Sequence, residues 1–369
     1  MKVLVTGGAG FIGSFIVDEL VDRGYDVTVF DVLAPQVHEG ERPSYLNPKA
    51  KFIRGDVRDY QALSEAALDS HVIFHEAGAV GVGQSQYQVK KYADVNVGGA
   101  ANLLDILVNN KHDVKKLIVA ASMSSYGEGS YECEKCGVVR PRLRTGSDMA
   151  NGEWEPPCPN CQGEIKPIPT AEDAVQYCNS IYALTKKAQE DMALNIGRTY
   201  DIPVVVLRYF NVYGPRQSLS NPYTGVAAIF MSRIKNNNQP VVYEDGRQTR
   251  DFISVHDIVK ANILAMEKDE ANYEVFNVGT SIPITIKDVA EILAGLYGKH
   301  IAPLITSKFR KGDVRHCYAD ITKIQGNLGF NPSVSFKQGM EELIEWSESV
   351  ESVDKFDTAE NELREKGIL

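Results

Sequence analysis

Tyrosine and lysine stand four apart in "YALTK", as Tyr182 and Lys186, within a helix-compatible run that puts both on one face. A phenol near pKa 10 is a poor base at neutral pH, but an adjacent ammonium stabilises the phenolate; lowering the pKa by roughly 3 units takes about 4 kcal/mol of such differential stabilisation. So tuned, Tyr182 can take a proton from a substrate hydroxyl. Taken alone, the spacing is common by chance and reads equally as a surface pair on a helix. A second pattern is a double Cys-x-x-Cys, Cys133 with Cys136 and Cys158 with Cys161, separated by 21 residues. Each pair supplies two thiolates to one metal, and the spacing matches a tetrahedral four-cysteine structural zinc site, against disulfides or idle thiols. Gly137 and Gly163, just beyond the pairs, suit tight knuckle turns. Four sulfurs leave no open position for water or substrate, which argues against catalytic zinc.

"TGGAGFIGS" follows an apolar run and opens a helix, with Gly7, Gly10 and Gly13 three apart and Gly8 completing G-x-G-x-x-G around Phe11 and Ile12. Glycine is required where the turn is tight, where backbone N–H groups approach a pyrophosphate, and where helix and strand pack closely. Asp31 comes eighteen residues after Gly13, at the end of the second strand, placed to accept hydrogen bonds from a ribose diol. A carboxylate there repels a 2′-phosphate and favours NAD over NADP. "GDVRD" (55–59) sets Asp56 and Val57 to flank the adenine, or forms an ordinary acidic loop. With NAD in place, the nicotinamide's positive charge joins Lys186 in stabilising the Tyr182 phenolate, and the Tyr-Lys pair becomes specific.

These residues need a frame, and the sequence supplies one. Short Val/Ile-rich runs at 2–5, 27–30, 51–54, 72–75 and 116–120 alternate with helix-compatible segments, and a sixth run (203–210) follows a helical stretch from about Tyr182 to Tyr200. This rhythm predicts α/β architecture: a Rossmann-type, doubly wound parallel sheet covered on both faces, with a smaller C-terminal α/β substrate lobe and a zinc-knuckle insertion. The expected domains are 1–127 with 171–213 and about 245–275 for NAD, 128–170 for the four-cysteine insert, 214–244 and 276–345 for the substrate lobe, and 346–369 as a charged tail, a surface helix or partly loose. In the substrate lobe "TIKDVAEILAGLYGK" (285–299) carries the Thr cap, early acid and late Gly of a helix. With 369 residues and 43% hydrophobic residues the chain can bury a real core. A net charge of −10 and a pI near 5.3 argue against nucleic-acid or anionic-membrane partners. No signal peptide or membrane span is expected, and six cysteines in two pairs plus isolated Cys178 and Cys317 fit a reducing cytoplasm.

In order, "TGGAGFIGS", "NVGGAANLLD", "SMSSYGEG", "YALTK", "LRYFNVYGPRQ" and "RQTRDFISVHD" resemble the extended short-chain dehydrogenase/reductase family of NAD-dependent nucleotide-sugar epimerases and dehydratases, over most of residues 1–345. The resemblance implies that Ser122, four residues before Tyr126 and Gly127, hydrogen-bonds the reacting sugar oxygen. It implies that Asn96 is mainly structural, and that Asn211, Arg250 and Arg315 hold the nucleotide diphosphate, as guanidinium geometry suits phosphate. It also implies a homodimer built on helices around 97–110 and 182–199.

Family 4,6-dehydratases place Asp-Glu directly after the catalytic hydroxyl residue, and decarboxylases keep the Glu; here Met123 and Ser124 stand there, and neither can do that proton work. What remains is transient oxidation at C4 with hydride return to the opposite face: a 4-epimerase, on a dTDP- or UDP-hexose. "SMSSYGEG", "NPYTGVAAIF" and the Cys-bearing insert are similar to the dTDP-L-rhamnose 4-epimerase type. A 4-ketosugar reductase and a catalytically silent sugar-nucleotide sensor are the alternatives; Asp31 weighs against the first and the intact Ser122, Tyr182 and Lys186 against the second. Ser122 and Tyr182 lie 60 positions apart, so the cysteine segment interrupts the connection between them, too small to fold on its own core and suited to a metal-stapled lid. His75, His256, Cys178 and Cys317 read as structural residues.

Overall fold

Seven parallel strands form the central sheet of the computed structural model, which describes residues 1–38 and 40–369. They are β1 (Lys2–Thr6), β2 (Asp26–Asp31), β3 (Lys51–Arg54), β4 (Val72–His75), β5 (Lys116–Ser122), β6 (Val204–Tyr209) and β7 (Val275–Val278), in spatial order β7-β6-β5-β4-β1-β2-β3. The strands are short and apolar on both sides because helices cover both faces. Helices α1 (Phe11–Asp22) and α5 (Val255–Glu267) pack on one face through Ile16, Leu20 and Ile258. On the other face α2 (Tyr60–Leu68), α3 (Gly99–Asn109) and α4 (Ile181–Thr199) pack through Leu63, Leu103 and Ala193. The strand order reverses at β1, between β2 and β4, and in such sheets the crevice outside the carboxyl ends at that point receives ligands.

The six strands expected from the sequence all lie in this sheet, and β7 adds an edge paired to β6. It spans the expected boundary at 275: only four residues long, with Asn277 interrupting the apolar run, it carries little signal of its own.

The smaller lobe packs helices Val226–Lys235, Ile286–Leu296 and Phe336–Glu348 around Phe230, Met231, Leu293 and Leu343. Thr285 caps the second of these by accepting a hydrogen bond from the Asp288 N–H. A small sheet of Asn211–Tyr213, Thr249–Ser254, Pro283–Thr285 and His316–Cys317 leads into this lobe. The charged C-terminal segment forms a helix, Phe356–Glu365, seated across the cleft between the lobes. Its Glu362 accepts a hydrogen bond from Tyr223, and the Lys311 N–H donates to the Ile368 carbonyl at 3.1 Å. The insert is a three-stranded antiparallel sheet, Ser130–Cys133, Gly137–Val139 and Lys166–Ile168, with a minimal core of Tyr131, Cys133, Val139 and Cys158. No helix among the described residues is long and apolar enough to cross a membrane.

Candidate active site

A cleft of about 1110 Å³ runs along the carboxyl ends of the strands and into the smaller lobe. At one end lies the glycine turn. Gly7 has φ +70°, and a Cβ on it would sit 2.7 Å from the Ala77 nitrogen; on Gly13 it would lie 2.3 Å from the Gly7 carbonyl oxygen. Neither position admits a side chain, so backbone lines this part of the cleft. Gly10 is the N-cap of α1 and offers no side-chain cap, leaving the first-turn N–H groups near Phe11 and Ile12 open to an anion. Asp31 closes β2, with Oδ2 accepting from the Ala9 N–H at 3.1 Å and Oδ1 from the Leu33 N–H at 2.8 Å. It borders the cleft with acceptor capacity remaining, as do Asp56 and Val57. Arg58 hydrogen-bonds Asp56 and holds its carboxyl below the usual range. This cradle fits an adenine dinucleotide.

Ser122, Tyr182 and Lys186 come together at the middle of the cleft. Ser122 ends β5 and caps the following turn, its Oγ accepting from the Ser124 N–H at 3.2 Å and the Ser124 hydroxyl at 2.9 Å. Tyr182 sits in the first turn of α4, which Ser180 caps through the Ala183 N–H, and its own N–H donates to Ser85 Oγ at 3.0 Å. Burial pushes the Tyr182 phenol up, and the neighbouring Ser122 hydroxyl draws it back. Lys186 is buried, its Nζ donating to the Ala120 carbonyl at 2.7 Å and Gln189 Oε1 at 3.0 Å. Burial lowers its pKa to about 8, while the charge of Glu76 opposes that fall.

Asn96, fully buried, accepts from the Ala79 N–H at 2.7 Å and donates to Thr185 Oγ1 at 3.0 Å, joining the loop after β4 to α4. Asn211 borders the cleft, and its buried Oδ1 has no hydrogen-bond partner among the described residues. A polar atom so placed calls for a ligand donor. Arg250 also borders the cleft, but its guanidinium rests on the carbonyls of Thr249, Val314 and Arg315.

Arg315 does not join them. It is fully buried, and its guanidinium makes five hydrogen bonds, to Glu155, Glu244 and Asp245. A guanidinium has five N–H donors, so none is left for a phosphate. The expected diphosphate contact at Arg315 is replaced by an ionic knot.

Two cleft residues escape the sequence reading. Arg310, just before "KGDVRHC", borders the cleft, and among the described residues its guanidinium makes one hydrogen bond, from Nε to Asp313 Oδ2 at 3.0 Å. Its position two residues ahead of the Gly-Asp pair was the available signal. Glu76, directly after His75, lies on the cleft wall and accepts from the Tyr209 hydroxyl at 2.9 Å. Burial raises its pKa to about 7, opposed by Tyr209 and the Lys186 charge. A charged residue at the end of an apolar strand was the signal there. His75 is buried, bonds Thr6 Oγ1 at 2.9 Å, and is held near pKa 3 by burial, so it stays neutral. His256 packs edge-on to Phe15 and bonds Glu342 at 2.8 Å. Cys178 is half-buried with Sγ 3.5 Å from the Ser125 carbonyl oxygen, and buried Cys317 has its thiol pushed up to about 12.

The four insert cysteines converge: their Sγ atoms all lie within 4.8 Å of one another. Sulfurs at the corners of a tetrahedron 2.3 Å from zinc would stand about 3.8 Å apart, close to the 3.6 Å between Cys133 and Cys161. The donor set and its spacing fit that ion.

Residues 3–144 match the NAD dependent epimerase/dehydratase family, and residues 160–343 match GDP-mannose 4,6 dehydratase. A dTDP-L-rhamnose 4-epimerase of Burkholderia thailandensis is 35% identical over 352 residues, 94% of each chain. The UDP-glucose 4-epimerase of Thermotoga maritima, solved with UDP-glucose, superposes with a TM-score of 0.78 at 32% identity, covering 95% of this chain and 99% of that one. UDP-glucuronic acid 4-epimerase of Bacillus cereus, solved with UDP-glucuronic acid and NAD, gives 0.77 at 27% identity, with 95% and 99% covered. With a glycine cradle, a Ser-Tyr-Lys centre and this likeness along nearly its whole length, the chain belongs to the NAD-dependent epimerase/dehydratase family, the extended short-chain dehydrogenases/reductases.

Proposed function

We propose that this chain is an NAD-dependent nucleotide-sugar 4-epimerase acting on a dTDP- or UDP-hexose. The observation that carries the reading is the pair after Ser122. Met123 is apolar, and the Ser124 hydroxyl is engaged with Ser122 Oγ at 2.9 Å, so neither supplies the acid or base that elimination of water across a sugar needs. Bound NAD would supply the hydride acceptor and donor at C4. Gly7, Gly10, Phe11, Ile12 and Gly13 would hold its pyrophosphate, and Asp31 the adenosine ribose. The chain's own part is proton work and orientation. Tyr182 takes the proton of the sugar's O4 hydroxyl as C4 is oxidised and returns it after the 4-keto sugar has presented its other face. Ser122 hydrogen-bonds that oxygen in both states. Lys186 contributes positive charge on the tyrosine's helix, and the open acceptor of Asn211 and the guanidinium of Arg310 suit the hydroxyls and diphosphate of the substrate. The four cysteines hold zinc as a structural ion.

Purified protein offered UDP-, dTDP- and GDP-hexoses, without added cofactor, tests this reading by NMR of the C4 epimers. One nucleotide sugar should be interconverted, with deuterium at C4 retained. Washing of the label into solvent, or stoichiometric consumption of added NADH with a keto sugar and no isomerisation, would overturn the epimerase in favour of another family chemistry.

A further inference from the structure

The ionic knot around Arg315 joins the cysteine insert to the substrate side of the cleft. Arg144, on the insert and 7% exposed, forms a bidentate pair with Glu244, Nη1 to Oε2 and Nη2 to Oε1, both 2.9 Å. Glu244, 1% exposed, also accepts from Arg315 Nη1 at 2.9 Å. Glu155, again on the insert, bonds Arg315 and His316, the latter at 3.0 Å. The main chain is gripped as well. Arg144 Nη2 donates to the Asp313 carbonyl at 3.1 Å, and buried Glu128 accepts from the Arg315 and His316 N–H groups at 2.5 and 3.2 Å. From the other side Arg250 donates to the Val314 and Arg315 carbonyls at 2.6 and 3.1 Å. Trp154 of the insert meets Phe309 edge-on, with centroids 6.4 Å apart.

What is gripped is the loop that brings Arg310, Gly312 and Asp313 to the cleft wall, where Glu244 stands beside them. A surface network of this kind would contribute little, but here the Arg144–Glu244 and Arg315–Glu244 pairs are desolvated and geometrically demanding, so they admit one arrangement of the loop. We infer that Arg144 is a positioning residue for the sugar-nucleotide site: through Glu244 and the Asp313 carbonyl it holds the 310–316 loop, and hence Arg310, in register with the cleft. The insert then serves as a brace behind the substrate wall rather than a lid over it. This rests on the nucleotide-sugar reading, because the loop's ligand is taken to be a nucleoside diphosphate.

Titration calorimetry of wild type, Arg144→Met, Arg144→Lys and Glu155→Gln with UDP, dTDP and NAD tests the inference, with zinc content and unfolding midpoint measured on each. Arg144→Met should weaken the nucleoside diphosphate that wild type binds by about ten- to a hundredfold. NAD affinity and zinc stoichiometry should hold, KM should rise while kcat changes little, and Arg144→Lys should recover part of the loss. If Arg144→Met does not fold, Glu155→Gln, on the half-exposed rim of the knot, should show the same selective loss at smaller size. Undiminished nucleotide binding by both folded variants, or parallel loss of NAD and zinc, would overturn the inference and leave the functional reading intact. Wild type that binds neither UDP nor dTDP would overturn that reading and this inference with it.

Discussion

Lys186 reaches from α4 to the carbonyl of Ala120 on β5, at 2.7 Å. Ala120 stands two residues before Ser122, so one hydrogen bond ties the helix that carries Tyr182 to the strand that ends in Ser122. The lysine therefore fixes the helix against the strand.

Tyr182→Phe should lower turnover by about a hundredfold to ten-thousandfold, the usual worth of a positioned acid or base, while NAD remains bound. Because burial pushes the phenol up, its ionised fraction, and with it the rate, grows as pH rises. Lys186→Met removes the nearby positive charge, so the acid limb of kcat/KM against pH should move to higher pH. An unmoved profile would sink the electrostatic role.

Gly13→Ala places a methyl group 2.3 Å from the Gly7 carbonyl oxygen, a backbone atom with nowhere to retreat. Overpacking of this kind costs about 1–3 kcal/mol, and since the displaced backbone is the pyrophosphate cradle, NAD affinity should fall by roughly ten- to a hundredfold. Equilibrium NAD binding checks it; wild-type affinity would contradict the cradle.

Glu76 gives a pH signature. Its folded pKa is raised, from 4.5 to about 7, so between those values the folded chain binds more protons than the unfolded chain. Stability from this group is accordingly full below about 4.5 and is lost as pH rises through about 7. Glu76→Gln mimics the protonated form throughout. Its unfolding midpoint should exceed that of wild type at pH 8, with the gap closing toward pH 4; a gap independent of pH would refute the assignment.

Protein purified under reducing conditions should carry one zinc per chain by elemental analysis, and Cys136→Ser should lose it. Chelation should lower the unfolding midpoint by about 2–4 °C for each 1 kcal/mol of stabilisation removed, with NAD binding retained because the glycine cradle lies in another part of the fold. Metal-free protein of unchanged stability would contradict the site.

Much of this protein is legible along the chain because its determinants are local. The Val/Ile runs, the glycine spacing and the Tyr-Lys interval each depend on a few neighbouring residues, and six strands and the middle of the cleft follow from them. The paired cysteines are likewise a short-range pattern, and their four sulfurs do converge. Arg315 shows where such reading stops: an arginine suited to phosphate and an arginine locked among carboxylates look alike in sequence. Its partners Glu155, Glu244 and Asp245 lie 160, 71 and 70 residues away, so only the folded chain decides which it is. The same holds for the C-terminal segment, whose high charge suggests a surface helix or a partly loose tail but whose helix borders the cleft with Phe356 and Leu363. Sequence determined the parallel sheet, the glycine cradle and the Tyr-Lys interval through periodicity and spacing, and the family resemblance pointed to Ser122 beside them. Tertiary structure decided which arginine, 310 or 315, meets the cleft and what the cysteine insert leans on, because desolvated ion pairs form between segments that nothing in the linear order brings together.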